Sequence, residues 1–126
     1  MGKQKEGSLQ ERIQELIEKN GGYCFKNHGD MTTEPGRPDI VVGYKGLFIG
    51  IEAKVDNNTP SKQQGIHCRN IWKAGNIAFI TWDTLTVQRV LAHIGYCVAQ
   101  NYNTNDIKRE MISFMQAYNI DDGTRW

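Results

Sequence analysis

No stretch of this chain approaches the roughly 20 consecutive apolar residues that a membrane-spanning helix needs. No secretory leader pattern opens it, and Glu6 stands where an N-myristoylation signal wants Ser or Thr. No membrane association is therefore expected. Cysteine is scarce: Cys24, Cys68 and Cys97 are an odd number, widely spaced and never in a C-x-x-C. That pattern predicts reduced thiols in a cytoplasm and argues against a disulfide framework or a zinc site. His67-Cys68 comes nearest to a zinc pair, but adjacent residues on a helix diverge by about 100°. Repeats and low-complexity segments are missing, and so is any excess of one charge. With 15 Lys and Arg against 14 Asp and Glu, the net charge is +1. A generally basic nucleic-acid binder is thereby excluded, and any phosphate-binding surface must be local.

What is present is an ordinary globular composition, 39% hydrophobic and 23% charged over 126 residues, the length of one domain. Lys26, Arg37, Lys45, Lys54, Lys62, Arg69 and Lys73 gather in the central third. Leu9, Ile13, Leu16 and Ile17 fall on one face of an amphipathic helix that Asn20-Gly21-Gly22 ends. Tyr23 to Lys26 reads as a short strand, and Asn27 to Arg37, with His28, Gly29, Asp30, Pro35 and Gly36, as a loop. Ser61-Lys62-Gln63-Gln64 is a capping box opening a helix to about Ala74. A further strand lies within 76–82, a helix capped by Asp83 or Thr84 runs to about Ala99, and another spans about Asn105 to Tyr118. The order predicts an α/β domain with a mixed four-stranded sheet flanked by helices, its core at about 3–82, C-terminal helices at 84–118 and a loose tail at 119–126. The strands joined through the capping-box helix are expected to run parallel.

The most informative segment is Gly36 to Lys54, GRPDIVVGYKGLFIGIEAK. Ile40-Val41-Val42 and Leu47-Phe48-Ile49 with Ile51 read as two buried strands, with 43–46 as the only turn material. If Lys45-Gly46 is a two-residue loop, Tyr44 pairs with Leu47 and Asp39 lies opposite Glu52. A three-residue loop would offset the two acids. Lys54 points to the same face as Glu52 because strand side chains alternate. Two opposed carboxylates repel, and a divalent cation removes that penalty, as Mg²⁺ is commonly held by one or two carboxylates with waters. The plain alternative is a surface hairpin carrying an acid and a Glu–Lys pair. Gln64 lies on the sheet-facing stripe of its helix, so it either only closes the capping box or reaches the same spot. On the first helix, Glu6 extends the apolar stripe one turn backwards, whereas Glu11 lies nearly opposite it; Glu6 faces inward only if the helix begins before Gly7.

These elements resemble the PD-(D/E)xK nuclease superfamily, and within it the small stand-alone VRR-NUC family. The matching elements are Glu6 ahead of Leu9-Gln10-Glu11-Arg12-Ile13, then Lys26-Asn27-His28-Gly29, Gly36-Arg37-Pro38-Asp39, Glu52-Ala53-Lys54 and Ser61-Lys62-Gln63-Gln64. They run in order from about Glu6 to Trp82. The resemblance implies a restriction-endonuclease-like core, with Asp39, Glu52 and the Ala53 backbone carbonyl as ligands of Mg²⁺ or Mn²⁺. It implies Lys54 as the catalytic lysine, Gln64 as a supporting residue, and Glu6 acting directly or through water. Lys26 stands where Arg is frequent, which loses a bidentate phosphate fork. Junction resolvases of archaeal type share the core and an early Glu-Arg pair that Glu11-Arg12 echoes, but the helix periodicity favours Glu6.

The function implied is a structure-selective DNA endonuclease acting on branched or duplex DNA, with Lys26, Arg37 and Lys62 as DNA contacts and no small-molecule cofactor. Resolution of a four-way junction requires two active sites and so predicts a homodimer. Val87, Val90, Leu91, Ile94, Ile107, Met111, Phe114 and Met115 are apolar enough to form its interface, and equally suited to a core. The alternatives are a flap- or nick-specific nuclease working as a monomer or with a partner, and a catalytically silent nuclease fold that binds DNA. Compact members of this kind look phage-like, which would place the chain in a host cytoplasm.

Overall fold

Lys45 and Gly46 both take positive φ, 50° and 82°, as the two-residue turns that suit a right-twisted hairpin demand. Tyr44 accordingly pairs with Leu47. In the computed structural model, which describes residues 2–27 and 34–126, this turn joins β2 (Ile40–Tyr44) to β3 (Leu47–Ala53) in antiparallel register. β1 (Tyr23–Lys26) pairs antiparallel with β2, and β4 (Ile77–Thr81) pairs parallel with β3. The sheet order is β1-β2-β3-β4, so the hairpin forms its middle. His28, Gly29 and Asp30 of the expected loop lie outside the described residues.

Four helices accompany the sheet: α1 (Gly2–Lys19), α2 (Lys62–Lys73), α3 (Thr84–Ala99) and α4 (Thr104–Ala117). Their starts are chemically marked. The capping box at Ser61 forms as its sequence predicts, Asp83 accepts from the Thr86 amide at 2.8 Å, and Asn103 accepts from the Asp106 amide at 2.8 Å. Strand alternation sends Ile40, Val42, Ile49, Ile51, Ile77 and Phe79 to one face, where Leu9, Ile13 and Ile17 of α1 and the buried residues of α3 complete the core. α4 backs α3. Val87, Val90, Leu91, Ile94, Ile107, Met111 and Met115 are all buried within this one subunit, so core packing accounts for them, while Phe114 is half-buried beside the exposed Tyr96 and Tyr118.

α2 covers the opposite face, but only over β3 and β4. Among the described residues, nothing covers the β1–β2 half of that face, where Tyr23 is 72% exposed with Phe25 and Phe48 beside it.

The expectation of a loose tail does not hold. β4 is an edge strand, and an unpaired edge is a template for pairing. The Ile80 amide donates to the Asp121 carbonyl at 2.7 Å in an antiparallel bridge. The Trp72 indole donates to the Asp122 carbonyl at 3.1 Å, and Arg69 to that of Thr124 at 3.0 Å. Gly123, at φ +80°, lies so close that an added Cβ would sit 2.3 Å from the Cys68 Sγ. Docking of 121–126 on α2 depends on a partner surface made far away in sequence, which the local polar composition does not reveal.

Candidate active site

The β2–β3 ladder ends at Ile40 and Ile51, which makes Asp39 and Glu52 the next facing pair. Several contacts hold them there. The Asp39 carbonyl accepts from the Asn27 amide at 2.7 Å, and its Oδ2 accepts from the Ala53 amide at 3.0 Å. Pro38 is buried against β3, where a Cβ on Gly50 would meet its ring at 2.8 Å, so that strand position requires glycine. Gly36 takes φ +89° and presses on the backbone of Gln63, 2.5 Å from where a Cβ would be. The Gly-Arg-Pro-Asp loop is thereby wedged between β3 and the first turn of α2.

Glu52 is 2% exposed, and its Oε1 is buried with no hydrogen-bond partner among the described residues. Burial, then a hydrogen bond to the Asp39 carboxyl, then the Asp39 charge push the Glu52 carboxyl up to about 10, against a lowering by Lys54. The bond and the orphaned oxygen are consistent. Two carboxylates offer only acceptors, so they bond only when one carries a proton. Without metal, burial and the neighbouring Asp39 carboxyl favour the protonated form of Glu52.

Glu6 lies on the same side. Its carboxyl is raised by partial burial and by Asp39, and lowered by Lys54. α1 begins at Gly2 and runs through Gly7, which meets the condition for Glu6 to turn inward. Glu11 is exposed and stands 4.0 Å from Lys26 in an ion pair. The Lys54 amide donates to the Thr81 carbonyl at 2.9 Å, which carries its side chain past the end of the sheet, and its ammonium has no ion-pair partner within 4.0 Å among the described residues.

Gln64 behaves first as a cap. Its Oε1 accepts from the Ser61 amide at 2.8 Å while its own amide donates to Ser61 Oγ at 3.2 Å. Only the side-chain NH₂ is left for other partners. Lys26 pairs with Ile40, one residue from Asp39. Arg37 sits two residues before Asp39 and pairs with Glu34 at 3.6 Å, and Lys62 opens α2 beside the Gly36–Gln63 contact. Cys68, close enough for Glu52 to act on it, is no nucleophile: burial first and the Glu52 charge second push its thiol up to about 12.

These residues suit a divalent cation. The unpartnered, buried Glu52 oxygen beside a second carboxylate is the kind of group that a hard cation satisfies. Among the described residues no three acid, His or Cys side chains stand close enough to cage an ion. The protein's share is two carboxylates, with the Ala53 carbonyl on the same strand edge as its Asp39-bound amide. Sequence reasoning passed over one feature: Lys5, Ser8 and Arg12, spaced i, i+3, i+7 along α1, face Trp82 across a groove beside Glu6.

The chain superposes on a VRR_NUC domain with a TM-score of 0.59 and 26% sequence identity, over 71% of this chain and 96% of that one. Its fold is VRR-NUC-like. The fold is also that of Archaeoglobus fulgidus Hjc, a Holliday junction resolvase from an archaeal hyperthermophile, with a TM-score of 0.50 and 17% identity over 61% of this chain and 67% of that one. No family sequence model and no curated protein matches this VRR-NUC-like domain.

Proposed function

We propose that this VRR-NUC-like domain is a Mg²⁺- or Mn²⁺-dependent, structure-selective DNA endonuclease that hydrolyses phosphodiester bonds, resolving four-way junctions as a homodimer. The observation that carries the reading is the Glu52 carboxyl, buried with an unpartnered oxygen against Asp39 and within reach of the Lys54 charge. Asp39, Glu52 and the Ala53 carbonyl would hold the cation, with Glu6 acting through water. When bound, the cation polarises a phosphoryl oxygen and lowers the pKa of the attacking water. Lys54 offsets the negative charge that gathers on the phosphoryl oxygens in the transition state. Gln64, with its carbonyl fixed in the cap, turns its NH₂ to the water or the phosphate. Lys26, Arg37 and Lys62, around the mouth, take flanking phosphates, which orients DNA without reading its sequence.

The resolvase named among the structural neighbours supports a four-way junction as substrate. Two symmetric cuts require two sites. With the apolar stripes of α3 and α4 inside the core, the open sheet face at Tyr23, Phe25, Val41 and Phe48 is the surface on which a second copy would close. Burial of most of the α3 and α4 stripes in the core also favours a second reading, a monomeric flap or nick nuclease. The test is incubation with linear duplex, flap and four-way-junction DNA, with Mg²⁺ and then with EDTA. Metal-dependent cutting of the junction in preference to the other two, abolished in Asp39→Asn, is expected. Preferential cutting of flaps would select the second reading, and no cutting of any substrate would overturn both.

A further inference from the structure

The groove between α1 and the ends of β3 and β4 encloses about 450 Å³, within the range of sites that hold one small ligand. We infer that it takes one unpaired nucleotide of the DNA strand that carries the cleaved phosphate, its base stacked on Trp82 and its phosphate held by Lys5 and Arg12. The assignment rests on the nuclease reading for the strand involved; binding itself needs neither metal nor cleavage.

The two sides of the groove are chemically different. Leu9, Val55 and the half-buried Trp82 form an apolar floor. The Trp82 indole donates to the Asn58 carbonyl at 3.1 Å, which pins the ring by its edge. A fixed ring face is what base stacking requires, and such stacking tolerates any base. Lys5 and Arg12 stand on the other side with Ser8 between them. Arg12 uses only its Nε, on the Ser8 carbonyl at 3.4 Å, and its other guanidinium donors have no partner among the described residues. Lys5 meets Asp56 at 3.5 Å in an exposed pair, a contact of little net stability that a phosphate readily replaces.

Position completes the case. Lys5 precedes Glu6 on the helix, and Val55 follows Lys54 just past the end of β3, so the groove begins where the acid pair ends. A nucleotide seated there is next to a phosphate at Asp39 and Glu52. A base within a continuous duplex is stacked on both sides and cannot reach the indole. At a branch point, continuous stacking is interrupted and a base is extruded at lower cost than within a duplex. The groove would thus give the enzyme its preference for branched over linear DNA.

The test uses the whole chain in EDTA, titrated with short oligo(dT) and followed by tryptophan fluorescence and by anisotropy of a labelled strand. Wild type is expected to show quenching. Trp82→Phe should lose most of that quenching yet bind within about 3-fold of wild type, because a smaller ring still stacks, while Trp82→Leu should bind about 10-fold more weakly. The double change Lys5→Ala and Arg12→Ala, both on the helix surface, should flatten the dependence of log K on log salt by about 0.7, the value for one single-strand phosphate contact. It keeps the test open if Trp82→Leu folds poorly. Unchanged affinity in Trp82→Leu together with an unchanged salt slope in the double variant overturns the groove. Weakened oligonucleotide binding in a protein that cuts nothing would retain the groove and reject the nuclease. Junction cleavage indifferent to these substitutions would do the reverse.

Discussion

Glu52→Gln replaces a buried carboxyl by an amide of the same shape, and it should make the metal-free protein more stable while removing its response to metal. In the folded chain the Glu52 carboxyl is pushed up to about 10 from an ordinary 4.5. Between those values the folded state keeps a proton that the unfolded chain has released. The stability this proton confers is fully present below about pH 4.5 and is lost as pH rises towards about 10. The slope is at most about 1.36 kcal/mol per pH unit. From about pH 6 to about pH 8 wild type should therefore lose up to about 2.7 kcal/mol through this one group. For a domain of this length the unfolding entropy is about 0.26 kcal/mol/K, so the loss reads as roughly 10 °C in Tm. In Glu52→Gln the amide nitrogen can donate to Asp39 at any pH, and this component of the slope vanishes.

The assay is thermal unfolding of both proteins in EDTA across that pH range, scored as the difference between them so that other titrating groups cancel. Mg²⁺ is then added at the upper end. Wild type should be stabilised and should release a proton, seen as a binding heat that varies with the ionisation enthalpy of the buffer. Glu52→Gln should show neither effect. Parallel pH profiles for the two proteins would refute the reasoning, because they would mean that Glu52 is already charged in the metal-free fold.

Lys54→Ala should lower junction cleavage by at least about 100-fold while DNA binding stays within a few-fold, the signature of charge stabilisation in the transition state; a matching loss of binding would make Lys54 a phosphate anchor instead. Asp39→Asn should abolish both cleavage and the Mg²⁺-induced rise in Tm. Gly123→Ala, which puts a methyl at positive φ and 2.3 Å from the Cys68 Sγ, should cost about 2–4 kcal/mol in urea unfolding. Gly75→Ala, also at positive φ but with nothing within 4 Å of the added atom, should cost only about 1–2 kcal/mol. Light scattering should return twice the 14.4 kDa chain mass, and Phe25→Glu on the open sheet face should return the monomer.

The hairpin was legible because two constraints coincide. Lys45-Gly46 supplies the positive φ that a two-residue turn between the apolar runs needs, and a shift of one residue would turn Ile40, Val42, Ile49 and Ile51 outward together. Once that register is set, the facing of Asp39 and Glu52 follows by counting. The inward position of Glu6 followed from the Leu9, Ile13 and Ile17 stripe. Elsewhere the same kind of pattern was silent. An apolar stripe such as Val87, Val90, Leu91 and Ile94 looks alike whether it meets its own chain or another copy. The tail carries two acids, a glycine and an arginine, which read as solvated until β4 is seen to present an open edge and Cys68 a slot that only Gly123 fits. Gln64 is undecided for a different reason, since one side chain has a carbonyl for the cap and an amide for something else.

The silent-fold alternative can be weighed on energetic grounds. Glu52 sits on the α2 face of β3 among Cys68, Ile80 and Gly50, positions where an apolar side chain would pack without loss. Burying a carboxyl there is unfavourable whether or not it is charged, since the neutral acid still leaves an oxygen unpartnered and the charged one lacks a counter-ion in contact. Beyond the Asp39 carboxyl and the more distant Lys54 charge, the surrounding contacts do nothing to relieve it. The Ala53 amide goes to Asp39, the Gln64 carbonyl goes to Ser61, and Lys54 stays outside ion-pair distance. A binding module would function as well with leucine at position 52 and would be more stable for it. The arrangement becomes favourable only when something positive and small enough to enter the space between the two acids is supplied from outside, and that requirement describes a hydrated divalent ion better than any group the described residues carry.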